Sequence, residues 1–540
     1  MAAFASAEEI VINSTDEYGH TIARAWSTGD RAATPVRQVE FSRLFDANSL
    51  TILSRLSQQT SNKAPSRDAS VSMHGPSSHH HDAASVHENL QGSIYSVWTK
   101  LERYSILLVV AIASLMVPFC DTIYLPALPD IATDLKATDT EVATTVSIYM
   151  FMVGLMALVW GPASDRFGRR INYYLALALF LVTTVVCIFS LNIQMLIAFR
   201  CLQGVAVASF VSVGGGVVAD IFPPHERGFA SGLFMITLLV GPVIGPLLGG
   251  GLSEAYGWRS TFIFLSVFAG VIVLPLVLFM LPETHQYLKL QQLHAKDPTA
   301  TADIKEADEI KQNPPVFQMP WMPLRFLLEA EIAPHAITAF FSFGAMFASL
   351  TELPVAMAAS PYSLSVSMIG LTYLPQGIGS LIACPVSGKL SDYAALRHPG
   401  EPQARLLYST LVSLLVSPAA LLLYGWSLQY GLHISVALLA QFFIGAGCAF
   451  YLPGLYGYLS GLKQSEAGSA IAAAESTICV AAGIMILVSS VAVSSIGMGA
   501  FFTILAGFNG LTSLFAYIAI IFKFRKAPNQ GQSSSSALVA

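Results

Sequence analysis

The sequence predicts an all-α membrane protein with twelve transmembrane helices in two six-helix pseudo-repeats, and two observations carry this prediction. First, 54% of the 540 residues are hydrophobic and only 11% are charged, whereas soluble proteins carry about 25% charged residues. Second, apolar segments of about 20 residues recur after Lys100, the length that crosses the roughly 30 Å hydrocarbon core of a bilayer. Such segments must be helical, because a single segment in lipid has to satisfy its own backbone hydrogen bonds.

Ahead of the first segment lies a polar stretch that differs from the rest of the chain. Residues 1–100 are rich in Ser, Thr, Asn, Gln and His, with no long apolar run and no secretory signal pattern. We expect a disordered cytoplasmic tail, although residues 41–56 also have the pattern of a short amphipathic helix. The triplet His79-His80-His81 is interpreted as part of the solvated tail rather than as a metal site.

The apolar segments divide into two groups around a polar, lysine-containing stretch. The expected organisation is a tail (1–100), a first six-helix bundle (101–284), a cytoplasmic linker (285–325), a second six-helix bundle (326–526) and a C-terminal tail (527–540). The twelve spans are expected at residues 105–125, 142–160, 171–190, 193–214, 229–252, 261–280, 332–353, 366–386, 406–426, 434–455, 467–491 and 499–522.

Positive charges are distributed unevenly between the connections. The even-numbered connections and the flanking chain ends carry most lysines and arginines, whereas the odd-numbered connections carry only Lys136 and Arg259. Because basic loops stay in the cytoplasm, both termini are expected there. The formal net charge of −5 offers no basic surface to nucleic acid. The six cysteines form no CxxC or Cys/His cluster, so neither a metal site nor a cofactor is expected.

Two short sequences recur at corresponding places in the two halves. Gly-Pro-Ala-Ser-Asp at 161–165, after the second span, recurs as Gly-Lys-Leu-Ser-Asp at 388–392, after the eighth. Leu-Pro at 125–126 likewise recurs at 353–354. Two copies of a six-helix unit around a central cavity are typical of secondary transporters.

The connection after the second span combines glycines, an acid and three arginines. Such a loop can latch one helix group to another and release it when the groups rock, since glycine permits tight backbone turns and a carboxylate can meet a helix N-terminus or an arginine. The alternative is a basic anchor that only fixes orientation. The residues concerned are Gly161, Asp165, Arg166, Gly168, Arg169 and Arg170.

Asp121 and Arg200 are charged residues inside predicted spans, at similar depths in the outer half of the membrane. An unpaired charge there is costly, so such residues usually face a cavity and have a partner. We expect an Asp121–Arg200 pair in which Asp121 alternates between holding a proton and holding the arginine. The alternative is a permanent salt bridge that only stabilises the bundle.

The fifth span carries small residues four positions apart and two prolines. Small residues let helices approach closely, and a proline inside a helix bends it. Close packing of a kinked helix is therefore expected whatever the function. The residues that define this pattern are Gly241, Gly245, Pro246, Gly249 and Gly250.

These motifs resemble those of the major facilitator superfamily over about residues 98–526. The loop from Gly161 to Arg170 is similar to the signature between the second and third helices of that superfamily, and its copy at 388–392 is degenerate. The sequence around Arg200 resembles the fourth-helix motif of proton-coupled drug exporters, in which the arginine is implicated in proton transfer. Ala206 replaces the usual second glycine of that motif.

Further resemblances concern the direction of transport. The stretch 121–129 looks like the first-helix signature of the same exporters, and 241–250 resembles the antiporter motif that marks exporters within the superfamily. Leu-Pro-Glu-Thr at 281–284 is also common in drug:proton antiporters. The opening Tyr-Ser-Val-Trp-Thr-Lys at 95–100 and the region around Asp121 look most like the fungal quinidine-resistance branch of the twelve-spanner drug:proton antiporters. The resemblance implies the major facilitator fold, a small-molecule substrate and protons as coupling ions.

Several other polar residues are weaker candidates for the substrate cavity. Glu475 lies about two turns into the eleventh span, and Gln441 is the neutral counterpart of Arg200 when the halves are superposed. Glu352 and His335, near the ends of the seventh span, are expected to be solvated or to reach the membrane surface. The cavity candidates are Tyr124, Gln203, Tyr373, Gln376, Gln441 and Glu475.

The resulting functional hypothesis is a monomeric, proton-coupled exporter of small organic compounds (drugs, organic cations, polyamines or metabolites). The plasma membrane is favoured over a vacuolar or vesicular membrane as its location. A nutrient uniporter or proton symporter is the first alternative, and a non-transporting sensor on the same fold is the second. An enzyme is not expected, because the sequence contains no Gly-x-Ser-x-Gly motif, phosphate-binding loop or metal-ligand cluster.

Overall fold

The computed structural model describes residues 11–15, 21–24, 94–296, 319–398, 401–462 and 467–526. Twelve helices in these ranges are long and apolar enough to cross a membrane. The predicted helical membrane fold is confirmed, and the chain is a multi-pass membrane protein.

Within the expected tail of residues 1–100, the structure describes two short strands and residues 94–100, where a 3₁₀ helix (Ile94–Val97) precedes the first span. β1 (Val11–Thr15) and β2 (Thr21–Arg24) pair in antiparallel fashion, with Val11 opposite Arg24. Both contain β-branched residues, which favour extended backbone. Residues 41–56 and the three histidines lie outside the described residues, as do 297–318 and 527–540.

The first half contains six spans, two of which are built from more than one helix. A helix of the linker, α10 (Gln286–Lys296), follows them. Span 1 consists of α1 (Lys100–Ser114), α2 (Met116–Thr122) and α3 (Leu128–Asp134); span 2 is α4 (Asp139–Phe167); span 3 is α5 (Arg169–Ile188); span 4 is α6 (Ile193–Ile221); span 5 is α7 (Pro224–Tyr256); and span 6 is α8 (Arg259–Val267) and α9 (Leu274–Met280), joined by a π-helical turn.

The second half repeats this arrangement after a 3₁₀ turn at Met322–Leu328. Span 7 is α11 (Ala333–Ala358); span 8 is α12 (Val366–Leu371) and α13 (Leu374–Arg397); span 9 is α14 (Leu407–Gln429); span 10 is α15 (Ile434–Leu462); span 11 is α16 (Ala467–Ile496); and span 12 is α17 (Met498–Lys526). An even number of crossings brings the starts of span 1 and span 7 to one end of the bundle, here called the terminal face. The opposite end is the distal face.

The helices extend beyond the apolar segments because polar caps continue them. Span 2, expected from residue 142, begins at Asp139. The Thr138 hydroxyl accepts from the Glu141 N–H at 3.3 Å, and the Glu141 carboxylate accepts from the Thr138 N–H at 2.9 Å. This reciprocal pair forms a capping box, which satisfies backbone donors at the start of a helix.

Span 1, expected to end at residue 125, continues through a 3₁₀ turn at Leu125–Ala127 into α3. Pro126 and Pro129 stand at the beginnings of these elements, where a proline costs no backbone hydrogen bond. Asp121 lies in α2, a short segment of span 1 between an interruption at Leu115 and the 3₁₀ turn that follows it.

The two halves meet along two pairs of spans. Span 2 packs on span 11, where the Ser147 hydroxyl donates to the Gly483 carbonyl at 2.6 Å. Span 5 packs on α12 of span 8, where the Glu254 carboxylate accepts from the Ser367 N–H at 2.8 Å. Nearer the distal face, the Ser490 and Thr140 hydroxyls are 3.1 Å apart. These polar contacts close the space between the halves at the distal face.

Candidate functional site

Asp121 lies in α2, the segment of span 1 between two helix breaks. The residue is 5% exposed, and its Oδ1 atom has no hydrogen-bond partner. Its charge is within electrostatic reach of Arg200 on span 4, Tyr373 on span 8 and Cys479 on span 11. An unsatisfied buried carboxyl group therefore sits where the two halves meet.

Arg200 is fully buried within the first half. Its Nη1 donates to the Cys120 carbonyl at 3.0 Å and to Gln203 Oε1 at 2.7 Å, and its Nη2 donates to the Tyr124 hydroxyl at 3.2 Å. The guanidinium carbon lies 4.5 Å from the ring centroid of Tyr124 and 4.1 Å from that of Tyr149. Two cation–π contacts and three oxygen acceptors thus hold the guanidinium in place.

The ion pair expected between Asp121 and Arg200 is absent from the described residues, and this part of the prediction is wrong for the observed conformation. The reason is competition, because the carbonyl of Cys120, next to Asp121, occupies the guanidinium instead. The two groups are neighbours whose charges interact, but each is held separately. A permanent salt bridge, the structural alternative, is absent as well.

Gln203 and Tyr124 belong to the setting of Arg200. Gln203 is fully buried, accepts from Arg200 and donates to the Thr184 hydroxyl at 2.7 Å. The Tyr124 hydroxyl lies 3.2 Å from that of Thr145. Their polar partners lie within the first half, so the structure places both residues inside that half rather than on the surface of a substrate cavity.

The second half contains a neutral counterpart of the arginine site. Gln441 is fully buried on span 10, and its Nε2 donates to the Ser349 carbonyl on span 7 at 3.4 Å. The Tyr424 hydroxyl donates to the same carbonyl at 2.9 Å. A contact from span 4 to span 1 in the first half thus has a counterpart from span 10 to span 7 in the second.

Tyr373 and Gln376 lie on span 8, close to the meeting point of the halves. The Tyr373 hydroxyl donates to the Leu350 carbonyl at 2.9 Å. Gln376 is 4% exposed and packs against Gly445, and its Oε1 has no hydrogen-bond partner. Gln376 is thus a second buried polar side chain with an unused acceptor.

Glu475 is half-buried on span 11, and its carboxylate accepts a hydrogen bond from the Tyr456 hydroxyl of span 10. One turn along the same helix, Cys479 interacts electrostatically with both Glu475 and Asp121. The Cys479 thiol is therefore within electrostatic reach of an acid of each half.

The glycines of span 5 pack against the segment that carries Asp121. A methyl group on Gly241 would overlap Pro118, one on Gly245 would overlap the Thr122 hydroxyl, and one on Gly249 would overlap the Ile123 carbonyl oxygen. The same span touches the second half, where a Cβ on Gly250 would lie 2.8 Å from the Val366 carbonyl oxygen. Pro246 takes part as well, because its carbonyl oxygen meets Gly370.

The loop after span 2 forms ion pairs within the first half. Arg169, 7% exposed, pairs with Asp165 at 2.7 Å and with Asp220 of span 4 at 2.9 Å. Arg166 and Arg170 are exposed and lie over the rings of Phe167 and Tyr174. The polar contacts described for this loop stay within spans 2, 3, 4 and 6 and the start of the linker, so the loop does not latch one half to the other in this conformation.

Glu283, at the end of span 6, completes this cluster. Its carboxylate accepts from the backbone N–H groups of Arg169 (2.9 Å), Arg170 (3.3 Å), Thr284 (3.0 Å) and His285 (3.0 Å). A carboxylate at a helix N-terminus is stabilised by the helix dipole. Gly168 has φ +95°, and a Cβ there would overlap Glu283, whereas Gly161 has nothing within 4 Å of such a Cβ. The turn therefore requires glycine at 168 only.

Asp220 and Glu283 were not predicted as members of this site. Each is separated from Arg169 by a long stretch of sequence, 51 residues for Asp220 and 114 for Glu283. No local spacing pattern could have found them, although Glu283 lies in the Leu-Pro-Glu-Thr sequence that the resemblance singled out.

The degenerate second copy of the loop retains one ion pair. Asp392 pairs with Arg405 at 2.8 Å, as Asp165 pairs with Arg169 in the first half. A Cβ on Gly457 of span 10 would lie 3.3 Å from Arg405, and one on Gly216 of span 4 would lie 2.7 Å from Arg169. The same contact is thus made in both halves, with the arginine 13 residues after the aspartate in the second.

Two residues expected to be solvated are buried. Glu352 is 6% exposed and accepts from the Ser489 hydroxyl at 2.8 Å, and His335 is 3% exposed beside Tyr451. Both predictions are wrong, because span 7 is covered by its neighbours along most of its length. Glu331, just ahead of span 7, is exposed as expected for that end and pairs with Lys523 at 2.8 Å.

The sequence model of the Major Facilitator Superfamily matches residues 110–440 of this chain. The MFS transporter fsa7 of Fusarium sp. is 32% identical over 70% of this chain and 75% of its own length. The MFS antiporter QDR3 of Candida albicans is 26% identical over 76% of each chain. A crystal structure of a D-xylose–proton symporter superposes with TM-score 0.58 and 16% identity, covering 77% of this chain and 97% of the symporter, and shows the fold alone.

Proposed function

Since the chain belongs to the major facilitator superfamily, we propose that it is a proton-coupled secondary transporter that exports small organic compounds by alternating access. The observation that carries the proposal is the buried, unsatisfied carboxyl group of Asp121 at the meeting point of the halves, beside an immobilised cation. Two relatives bear the names transporter and antiporter, which supports transport and antiport for this chain.

The terminal face is assigned to the cytoplasm, and the distal face to the outside of the plasma membrane. The excess of lysine and arginine on the terminal-face connections supports this orientation. The contacts that join the halves near the distal face then correspond to a conformation closed toward the outside. Each chain contains its own two halves and cavity, so a monomer suffices for the cycle.

The coupling step uses the fixed charge of Arg200. An ionised Asp121 is attracted to the guanidinium, whereas a protonated Asp121 is neutral and free of that attraction. A proton from the outside binds Asp121, the halves rock, and the proton leaves to the cytoplasm. Substrate then takes its place. Because Arg200 is held by Cys120, Gln203 and two rings, Asp121 is the group that changes state.

The substrate region extends from Asp121 to Glu475 across Cys479. Its polar groups are few, and span 7 of the same half as Glu475 carries apolar residues such as Phe341, Met346 and Phe347. A mostly apolar site with a few polar anchors suits small organic compounds. Two carboxylates favour cationic members of that class, because desolvated acids attract cations.

The test is efflux in vesicles with an internal pH reporter. We expect Asp121→Asn to abolish proton-driven efflux, since the amide cannot exchange a proton in this range. Asp130→Asn, a change of the same chemistry at the distal end of span 1, should leave efflux unchanged. Full pH-dependent efflux by Asp121→Asn would contradict the role of Asp121.

Reversal of an imposed pH gradient separates the candidate functions. An antiporter drives substrate in the direction opposite to protons, a symporter drives it in the same direction, and a uniporter is indifferent to the gradient. Binding without any flux in proteoliposomes would identify a sensor. Each of the last three results would contradict antiport.

A further inference from the structure

A second buried carboxyl group lies away from Asp121, near the distal end of span 7. Glu352 lines a small cavity whose walls come from both halves, including Leu128, Asp139 and Val142 of the first half and Thr351 and Ser490 of the second. The Ser490–Thr140 hydroxyl contact joins the halves beside it. Glu352 therefore belongs to the closed distal interface, which the coupling step at Asp121 does not use.

The hydrogen bonds around Glu352 depend on its protonation. The Ser489 hydroxyl lies 2.8 Å from Glu352 Oε1 and 2.9 Å from the Ile486 carbonyl oxygen. A serine hydroxyl has a single hydrogen and can donate only one of these bonds. Both bonds form together when Glu352 is protonated and donates to Ser489 Oγ, while Ser489 donates to Ile486.

The surrounding charges favour the same state. The titratable groups that interact with Glu352 are Asp139 of span 2 and the phenol of Tyr424 on span 9. Spans 1 and 11 contribute Leu128, Ser489 and Ser490, and no lysine or arginine lines the cavity in the described part of the chain. An ionised carboxylate this buried, without a cation and near another acid, would be costly.

We propose that Glu352 is a second proton-binding site, which takes up a proton from the distal solution when the halves close on that side. The proton adds to a carboxylate oxygen, and the new O–H group donates to Ser489. When the interface opens, water enters the cavity, and the proton returns to the same solution. Because it enters and leaves on one side, this proton is not transported. Acid on the distal side instead favours distal closure.

The proposal goes beyond transport and holds for either direction of substrate movement. It is tested with the full chain in lipid nanodiscs, by measuring spin-label distances between Thr133→Cys and Ser435→Cys at the distal ends of the two halves. The half-buried Cys201, Cys384 and Cys479 are replaced by serine in this background. We expect acidification to increase the population at the short distance.

Glu352→Gln decides the outcome, because a neutral amide imitates the protonated acid and can donate to Ser489. We expect this variant to hold the short distance at every pH. Glu331→Gln, a matched change at an exposed glutamate of the terminal face, should keep the pH response. An unaltered pH response in Glu352→Gln would overturn the proposal.

Infrared spectroscopy gives a direct second readout. At neutral pH, the C=O stretching band of a protonated carboxyl group should be present in the parent chain and in Asp121→Asn, and reduced in Glu352→Gln. If Glu352→Gln does not fold, Ser489→Ala replaces it, and the loss of the acceptor should move the distance transition to lower pH. An unchanged carboxyl band in Glu352→Gln, or an unchanged transition in Ser489→Ala, would show that Glu352 does not hold the proton.

Discussion

At the scale of single residues, the main feature of Arg200 is the set of contacts that hold its guanidinium group in one position. Its guanidinium is shared between backbone, amide and phenol oxygens and lies between two aromatic rings. A buried arginine in such a setting acts as a fixed positive potential. In the proposed coupling step, proton binding at Asp121 therefore changes one charge beside a positive charge that stays the same.

The ring of Tyr149 supplies the nearer cation–π contact, and its hydroxyl donates to the Val117 carbonyl at 2.8 Å. We expect Tyr149→Leu to free the guanidinium, to lower efflux and to alter its pH profile, because about 0.5–2 kcal/mol of cation–π attraction is lost. Tyr149→Phe keeps the ring and should retain the parent pH profile. Efflux measured across a pH series checks both variants. Equal pH profiles for Tyr149→Leu and Tyr149→Phe would exclude a role for the cation–π contact in holding Arg200.

Part of the arrangement around Asp121 and Arg200 could be predicted from the sequence. The cost of a charge in lipid identified Asp121 and Arg200 as unusual, and Arg200 is bonded to the backbone of Cys120, the neighbour of Asp121. Their pairing was not predicted correctly, since the carbonyl of Cys120 and the side chain of Gln203 compete for the guanidinium. A backbone acceptor leaves no mark in the sequence, so the choice between partners could not be made there.

At the scale of elements, the glycines of span 5 let this helix pack closely against two neighbours. Its glycines bring it against α2 on one side and α12 on the other. One helix therefore contacts the segment that carries Asp121 and also the second half. A displacement of the second half relative to the first can therefore be transmitted to the Asp121 segment by the packing of span 5.

Gly249 and Gly251 provide a matched pair for testing this contact. A methyl group at Gly249 would overlap the backbone oxygen of Ile123, whereas one at Gly251 meets nothing within 4 Å. We expect Gly249→Ala to cost about 1–3 kcal/mol through overpacking and to lower efflux. Gly251→Ala shares the gain in helix propensity without the overlap and should match the parent in thermal stability and efflux. Identical melting temperatures for the two variants would contradict the argument.

The elements themselves were largely predictable. Twelve apolar segments became twelve spans, because helix formation in lipid depends on length and composition. The bounds differed where polar residues extend a helix, as Thr138 and Glu141 do at span 2. The division of span 1 into shorter helices, one of which carries Asp121, was missed.

At the scale of the whole molecule, the contacts between halves are placed asymmetrically. Hydrogen bonds between the halves lie along spans 2 and 11 and at the distal ends of spans 5 and 8, whereas the loop after span 2 is engaged within its own half. In the proposed alternating-access cycle, the observed conformation is the one with the distal side closed.

A cross-link between Thr140 and Ser490 tests whether that closure must open. Their hydroxyl oxygens are 3.1 Å apart across the interface. We expect the double variant Thr140→Cys/Ser490→Cys to lose efflux after oxidation or treatment with a short thiol cross-linker, and to regain it on reduction. Each single variant should stay active under the same treatment. Continued efflux with the cross-link in place would show that the distal interface does not open during transport.

The ion pair of Asp392 with Arg405 bears on how the two halves diverged. If the halves arose by duplication, selection preserved a contact in three dimensions while the arginine moved from four to 13 positions after the aspartate. By its sequence motif alone, the second copy of the loop is degenerate. Its aspartate and arginine nevertheless form an ion pair, as in the first copy. Comparisons between duplicated bundles are therefore more informative when they align residue contacts than when they align sequences.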